Sequence, residues 1–406
     1  MHLSIKHKNS ISLLGGLSFF LSAIEFLIPK PLPFIRVGIA NLPMLLGLEI
    51  LPFSAYLLLV LIKVLGQALI TGTLFSYVFI FSLGGTLVSA LIMAGFKYIF
   101  GKKISLTGIS TAGAMTSNIV QLYLAYILIF GNSVRYMAAP ILGFGILTGA
   151  LLGYITEYFK INSKWYKSVI NDSKEAFNFC NSDVKYFRDE KASLTSRQKR
   201  ENYFLNMFNA NELALTGFCM LPALLFNPDT FGRIFQCLFF VFLAWFSGKK
   251  IRILFTFLVV LCIVFFNLLI PHGEVLFSIS SFNITMGALL GGLRRAMTLT
   301  GLIMLSRFCI RWNYSEQSFN MTGIFGKLIT GAFEVFYFMG EKRFSLLKNN
   351  WIAGIDDTLF SIEEEIKKEH KGKQNKNPLR SSIIVSRLLL LLILIIAWIP
   401  FIIAFN

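Results

Sequence analysis

Charge is what this chain has least of. Only 15% of its 406 residues are Asp, Glu, Lys or Arg, against 55% hydrophobic, and the mean hydropathy is +0.67. A soluble domain carries about 25% charged residues, so the composition excludes a protein that sits wholly in water. Histidine is scarce too: His2, His7, His272 and His370 show no metal-ligand spacing. The five cysteines (Cys180, Cys219, Cys237, Cys262, Cys309) form no Cys-x-x-Cys pair, and four lie in apolar runs as small hydrophobes. No metal and no other cofactor is implied. Catalytic signatures are missing as well. There is no GxxxxGK[ST], GxSxG, HExxH or kinase set, and GIFGKL at 323–328 lacks the spacing and hydroxyl of a phosphate loop. Asp356-Asp357 is a lone acidic pair, not the paired aspartate-rich motifs that hold magnesium against a diphosphate. The chain therefore reads as not an enzyme.

What is present is long apolar sequence. LPFSAYLLLVLIKVLGQALI (51–70), ILFTFLVVLCIVFFNLLI (253–270) and IIVSRLLLLLILIIAWIPFIIAF (383–405) approach or reach the ~20 residues that cross a bilayer. The fold class is an all-α polytopic membrane protein. A first block, 1–158, divides into six spans near 11–28, 37–50, 52–72, 77–98, 108–130 and 135–157, the second short and broken by proline. A polar, basic linker follows at 159–202, read as loop or short amphipathic helices. The second block, 203–406, carries spans near 211–226, 229–247, 251–270 and 283–310. After them come a charged, aromatic region (311–381), read as helices lying on the membrane surface, and a final span at 383–405. The first apolar run leads into further spans and lacks a small-residue cleavage pattern, so no cleavable signal is expected.

The formal charge of +17 comes from 38 Lys+Arg against 21 Asp+Glu. In a soluble protein that excess would suggest nucleic acid; here it fits cytoplasmic loops and anionic lipid, and nucleic acid is not an expected partner. Lys6, Lys8, Lys97, Lys102, Lys103, the linker, Lys249, Lys250, Arg252 and the segment Lys367–Arg380 all fall on one side of the membrane in an eleven-span chain. That arrangement puts the amino terminus in the cytoplasm and the carboxy terminus outside, in the cell's cytoplasmic membrane.

Several polar side chains interrupt the apolar helices. Glu25 sits late in the first span, and Lys63 and Gln67 share a face four residues apart. Asn118 and Gln121 share another, and Asn41 lies in RVGIANLPMLL. In hydrocarbon such groups face a partner or a cavity. Two readings stand: they line a ligand pocket near the outer half of a compact bundle, or they tie helices together, with Glu25 and Lys63 simply paired. The segment IPKPLPFIRVG (28–38) favours the pocket, because three prolines leave irregular backbone near the membrane face. Arg36 would attract an anionic solute or touch lipid headgroups. Small residues mark close helix approach: Gly145, Gly149 and Gly153 form a double GxxxG, and Ser18 and Ser22 a small-xxx-small pair. They pack within the block or dock a partner.

EFLIPKPLPFIRVGIANLPMLLGL, LIKVLGQALITGTLFSYVFIFSLGGTLVSALIM and GISTAGAMTSNIVQLYLAYILI, in that order, resemble the Gx transporter family, also labelled heptaprenyl diphosphate synthase component I. The resemblance spans about 11–158. Lys63 stands where that family commonly has arginine, and Ser117 where a histidine usually precedes the asparagine. The family is similar in architecture to the substrate-binding S components of energy-coupling factor transporters, six-helix bundles that capture a vitamin or related small molecule. NITMGALLGGLRRAMTLTGLIMLSR (283–307) resembles the long span leading to the coupling helices of a T component, although the paired Ala-Arg-Gly signatures are absent. The resemblance implies that Glu25, Arg36, Asn41, Lys63, Gln67, Asn118 and Gln121 meet a small polar solute. It also implies that Arg294 and Arg295 transmit strokes from separate cytoplasmic ATPase subunits. The family's other label implies a different partner, a prenyl diphosphate synthase catalytic subunit, with this chain as its non-catalytic membrane subunit.

Overall fold

The computed structural model describes residues 5–27, 38–170, 204, 207–249, 251–279, 282–310, 323–341, 351–368 and 383–405. The first block begins with α1 (Ile5–Leu27). A 3-10 turn (Ile39–Asn41) then opens α2 (Leu42–Ile50), followed by α3 (Phe53–Thr71), α4 (Tyr77–Phe100), α5 (Leu106–Ala125) and α6 (Arg135–Asn162). A short α7 (Lys164–Ile170) begins the linker, whose remaining residues to 202 lie outside the described residues. The second block contains α8 (Ala210–Leu225), α9 (Thr230–Phe246) and α10 (Ile253–Leu268). An antiparallel hairpin of β1 (Val275–Ile279) and β2 (Phe282–Thr285) separates α10 from α11 (Met286–Cys309). The region after 310 holds α12 (Ile324–Glu341) and α13 (Trp351–Lys368), and α14 (Ile383–Phe405) closes the chain.

Among the described residues, six helical segments are long and apolar enough to cross a membrane, one of them running from Leu106 to Asn162. That run turns back at Gly131, whose φ of 55° needs no Cβ, after a π-helical turn over Tyr126–Phe130. Dividing it there, and adding four shorter apolar helices, recovers the eleven expected segments. The second is short for a local reason. Pro43 occupies the first turn of α2, where its missing N–H costs nothing, and Pro52 caps α3 from an extended conformation only two residues after α2 ends. Among the described residues of the second block, the hairpin is the regular element with no counterpart in the helical reading.

The double GxxxG packs inside the first block. A Cβ on Gly149 would lie 2.8 Å from Thr111 Cα, and one on Gly153 would lie 2.4 Å from Thr107 Cα, so α5 and α6 touch backbone to backbone. Ser18 and Ser22 are buried, but the close approach on α1 is made elsewhere, by Gly15 and Gly16. A Cβ on Gly16 would meet Val335 of α12 at 2.4 Å; Ser12 Oγ donates to Leu328 O at 3.4 Å, and the Phe19 and Phe333 rings lie 4.8 Å apart. Thus α12 runs beside α1 in the same direction. Asp356 of α13 accepts from Ser163 Oγ and, at 2.7 Å, from Lys164 N, which caps α7. α12 and α13 therefore pack against the first block and share its core with α1, α2 and α3.

One relationship constrains the charge-based topology. Arg252 at the start of α10 and Arg307 near the end of α11 both sit over Phe26 at the end of α1. The basic-loop pattern puts Phe26 outside and both arginines inside. The contact thus brings to one level helix ends that the pattern assigns to opposite sides of the membrane.

Candidate functional site

Six of the seven sequence-identified candidates line one cavity: Glu25 from α1, Asn41 from the 3-10 turn, Lys63 and Gln67 from α3, and Asn118 and Gln121 from α5. The seventh, Arg36, lies outside the described residues. The cavity measures about 50 Å³.

Each polar group is held by the local fold. Glu25 is 2% exposed; its Oε1 accepts from Gly38 N at 3.2 Å and its Oε2 from Ala40 N at 3.4 Å. The carboxylate thus satisfies amide groups that a helix start leaves open, where negative charge is favoured. Gly38 adopts φ 88°, and its carbonyl accepts from Asn41 N at 2.8 Å, which explains a glycine three residues before Asn41. Lys63 is 2% exposed and its Nζ donates to Asn41 Oδ1 at 2.8 Å. Asn118 Nδ2 donates to Ile141 O at 2.9 Å, linking α5 to α6, and the space for that amide exists because residue 145 is glycine: a Cβ there would lie 2.2 Å from Nδ2. Gln121 Nε2 donates to Ser117 Oγ at 3.1 Å, and a Cβ on Gly85 would crowd both, at 2.9 and 2.8 Å.

The hydroxyls were not among the sequence-identified site residues, Ser117 entering only as a departure from the family pattern. Thr86 and Ser89 of α4, Ser110 and Ser117 of α5, and Thr148 of α6 also line the cavity. The signal was spacing: Thr86 and Ser89 are three apart and Ser110 and Ser117 seven apart, so each pair shares a helix face.

At the opposite end of α2, Glu49 binds Lys97 at 3.1 Å and Lys160 at 2.6 Å, and accepts from Tyr166 Oη at 2.7 Å. Burial, followed by the Glu49 carboxylate, pushes the Tyr166 hydroxyl well above its ordinary pKa. These bonds bring the ends of α2, α4 and α6 to one level, as an alternating bundle requires.

Arg294 and Arg295 sit apart from α12 and α13. Arg294 Nη2 donates to Asn227 O at 3.4 Å and Arg295 Nη1 donates to Asn267 Oδ1, tying α11 to the α8–α9 turn and to the end of α10. They lie about 20 Å along the axis from the end of α11 that leads toward α12. A buried network accompanies them: Arg233 bonds Asn227 O, Leu225 O and Thr298 Oγ1, and Gln236 bonds Ala223 O and Ala397 O. The sequence reading had not singled out this cluster.

The apolar helices define the chain as an all-α multi-pass membrane protein. Within it, residues 14–159 match the family described as heptaprenyl diphosphate synthase component I, in agreement with the resemblance seen in the sequence. Residues 212–312 match a domain of unknown function, DUF8519. No curated protein and no solved structure matches the chain.

Proposed function

We propose that the protein is a transport protein of energy-coupling factor type, in which the first bundle binds a small polar solute and separate cytoplasmic ATPases drive it. The observation that carries this reading is the convergence of Glu25, Asn41, Lys63, Gln67, Asn118 and Gln121 on one cavity. A buried ammonium and a buried carboxylate are costly to keep in an apolar bundle unless they do something besides packing. At about 50 Å³ the cavity is closed down, since ligand pockets ordinarily enclose about 300 Å³ or more; a solute enters when the helices part. The packing of α12 and α13 on the first block supports the coupling half, because a force on either helix reaches α1 and α7 through Gly16–Val335 and Asp356–Ser163. In this reading the protein lies in the cytoplasmic membrane with its amino terminus inside.

The alternative is a non-catalytic membrane subunit of a polyprenyl diphosphate synthase, favoured by the name of the family that matches residues 14–159. Affinity purification of the full chain from its native membrane, with mass spectrometry of the captured proteins, separates the two. A pair of ATPases supports transport. A prenyl synthase without ATPases overturns it.

A further inference from the structure

A second cavity, of about 100 Å³, lies between the blocks, bounded by the ends of α1, α3 and α11 and the starts of α4 and α10. Glu25 and Gln67 line both cavities and so form the partition between them. The new cavity differs in charge. Arg252 and Arg307 both line it, each stacked over the Phe26 ring, with guanidinium carbons 5.6 and 5.9 Å from its centroid. No hydrogen bond or ion pair joins either guanidinium to a described residue. Glu25, the carboxylate in the wall, is turned to the Gly38 and Ala40 amides.

Two partly buried cations beside one ring repel each other, and a buried charge is ordinarily met by a counter-charge. The ring face attracts each cation but neutralises neither. The rest of the lining points the same way. Arg252, Phe255 and Thr256 belong to the first turn of α10, whose open amide N–H groups favour an anion. Ser22 Oγ lines the cavity fully buried and has no hydrogen-bond partner among the described residues. Thr300, buried on α11, also borders the space. Two guanidiniums, a helix start and the unspent Ser22 hydroxyl match a compact, multiply charged oxyanion better than a carboxylate, which offers two oxygens and one charge.

We propose that this inter-block cavity binds a phosphate group between Arg252 and Arg307, with Ser22 donating to it. The phosphate belongs to a free ion or to a lipid head group, since Phe26, Phe255 and Met304 give the same cavity an apolar wall.

The test uses the purified full chain in an uncharged detergent. Equilibrium binding is measured for radiolabelled inorganic phosphate, short-chain phosphatidic acid and acetate, at constant ionic strength set with chloride. Saturable binding of phosphate or phosphatidic acid is expected, weakened at least tenfold by Arg252→Gln and by Arg307→Gln, severalfold by Ser22→Ala, and unchanged by Lys103→Gln on the exposed surface. Binding of both ligands identifies free phosphate as sufficient; binding of phosphatidic acid alone identifies a head group. If Arg307→Gln fails to fold, Arg252→Gln at the helix start decides. Acetate binding as tightly as phosphate, no binding above chloride, or binding indifferent to both arginines overturns the proposal.

Discussion

Lys63 Nζ lies 2.8 Å from Oδ1 of Asn41, so the middle of α3 is fastened to the 3-10 turn that opens α2. The bond joins an ammonium that is 2% exposed to a residue on the broken segment after the first span. It is charge-assisted and sheltered from water, which makes it one of the stronger bonds available to the bundle.

The two partners are expected to respond unequally to mutation. Asn41→Leu removes an acceptor and leaves the buried ammonium with one bond fewer, a loss of about 1–3 kcal/mol. Lys63→Met removes the charge itself together with its desolvation cost, which offsets part of what the lost bond contributes. Thermal unfolding in detergent should show a lower midpoint for Asn41→Leu than for Lys63→Met. The reverse order would mean that Lys63 has stronger partners than Asn41.

Along α6 two of the glycines, Gly145 and Gly153, are expected to separate stability from binding. Gly153→Ala forces a Cβ against Thr107 backbone, which cannot swing aside, and overpacking of this kind costs about 1–3 kcal/mol. Gly145→Ala instead meets the tip of the Asn118 side chain, which can rotate away. The first variant should lower the unfolding midpoint more; the second should weaken solute retention more. Equal effects on both measurements would contradict the packing described.

Glu334 on α12 gives the packing of this helix a pH dependence. Burial raises its carboxyl from 4.5 to about 8. The folded protein therefore holds a proton that the unfolded chain releases between about pH 4.5 and 8, and stability falls as pH rises through that window. The unfolding midpoint should be higher near pH 5 than near pH 9, with the slope reduced in Glu334→Gln. A midpoint insensitive to pH, or the same slope in the variant, would rule this out.

Asp356 was legible only as half of a stray acidic pair, yet it caps α7 and links α13 to the first block. Asp356→Ala should cost about 1 kcal/mol, as loss of a helix cap does. Asp357→Ala, an exposed neighbour, should change the midpoint little. Indistinguishable midpoints would remove Asp356 from this role.

The fold class was readable because apolar length reports directly on the bilayer. The cavity was partly readable: Glu25, Lys63 and Asn118 are anomalous in hydrocarbon, whereas Ser89 and Ser110 are small hydroxyl residues of the kind that pack unremarked in any span. The placement of α12 was not readable. Its packing on α1 depends on a pair of glycines more than 300 positions earlier, Gly15 and Gly16, which let Val335 and Ala332 approach. Arg294 and Arg295 were assigned to coupling from the resemblance, but their bonds to Asn227 and Asn267 depend on a tertiary arrangement that local sequence does not encode.

The measurement that bears on the first cavity is the amount of small molecule carried by the purified chain. Wild-type protein and the Lys63→Met and Asn118→Ala variants would be purified from the native host in parallel and denatured, and the released compounds quantified by mass spectrometry. A polar solute approaching one equivalent in wild type, reduced at least tenfold in both variants while their unfolding remains cooperative, is the expected result. No retained solute, or equal amounts in all three proteins, would contradict the assignment of Glu25, Asn41, Lys63, Gln67, Asn118 and Gln121 to binding.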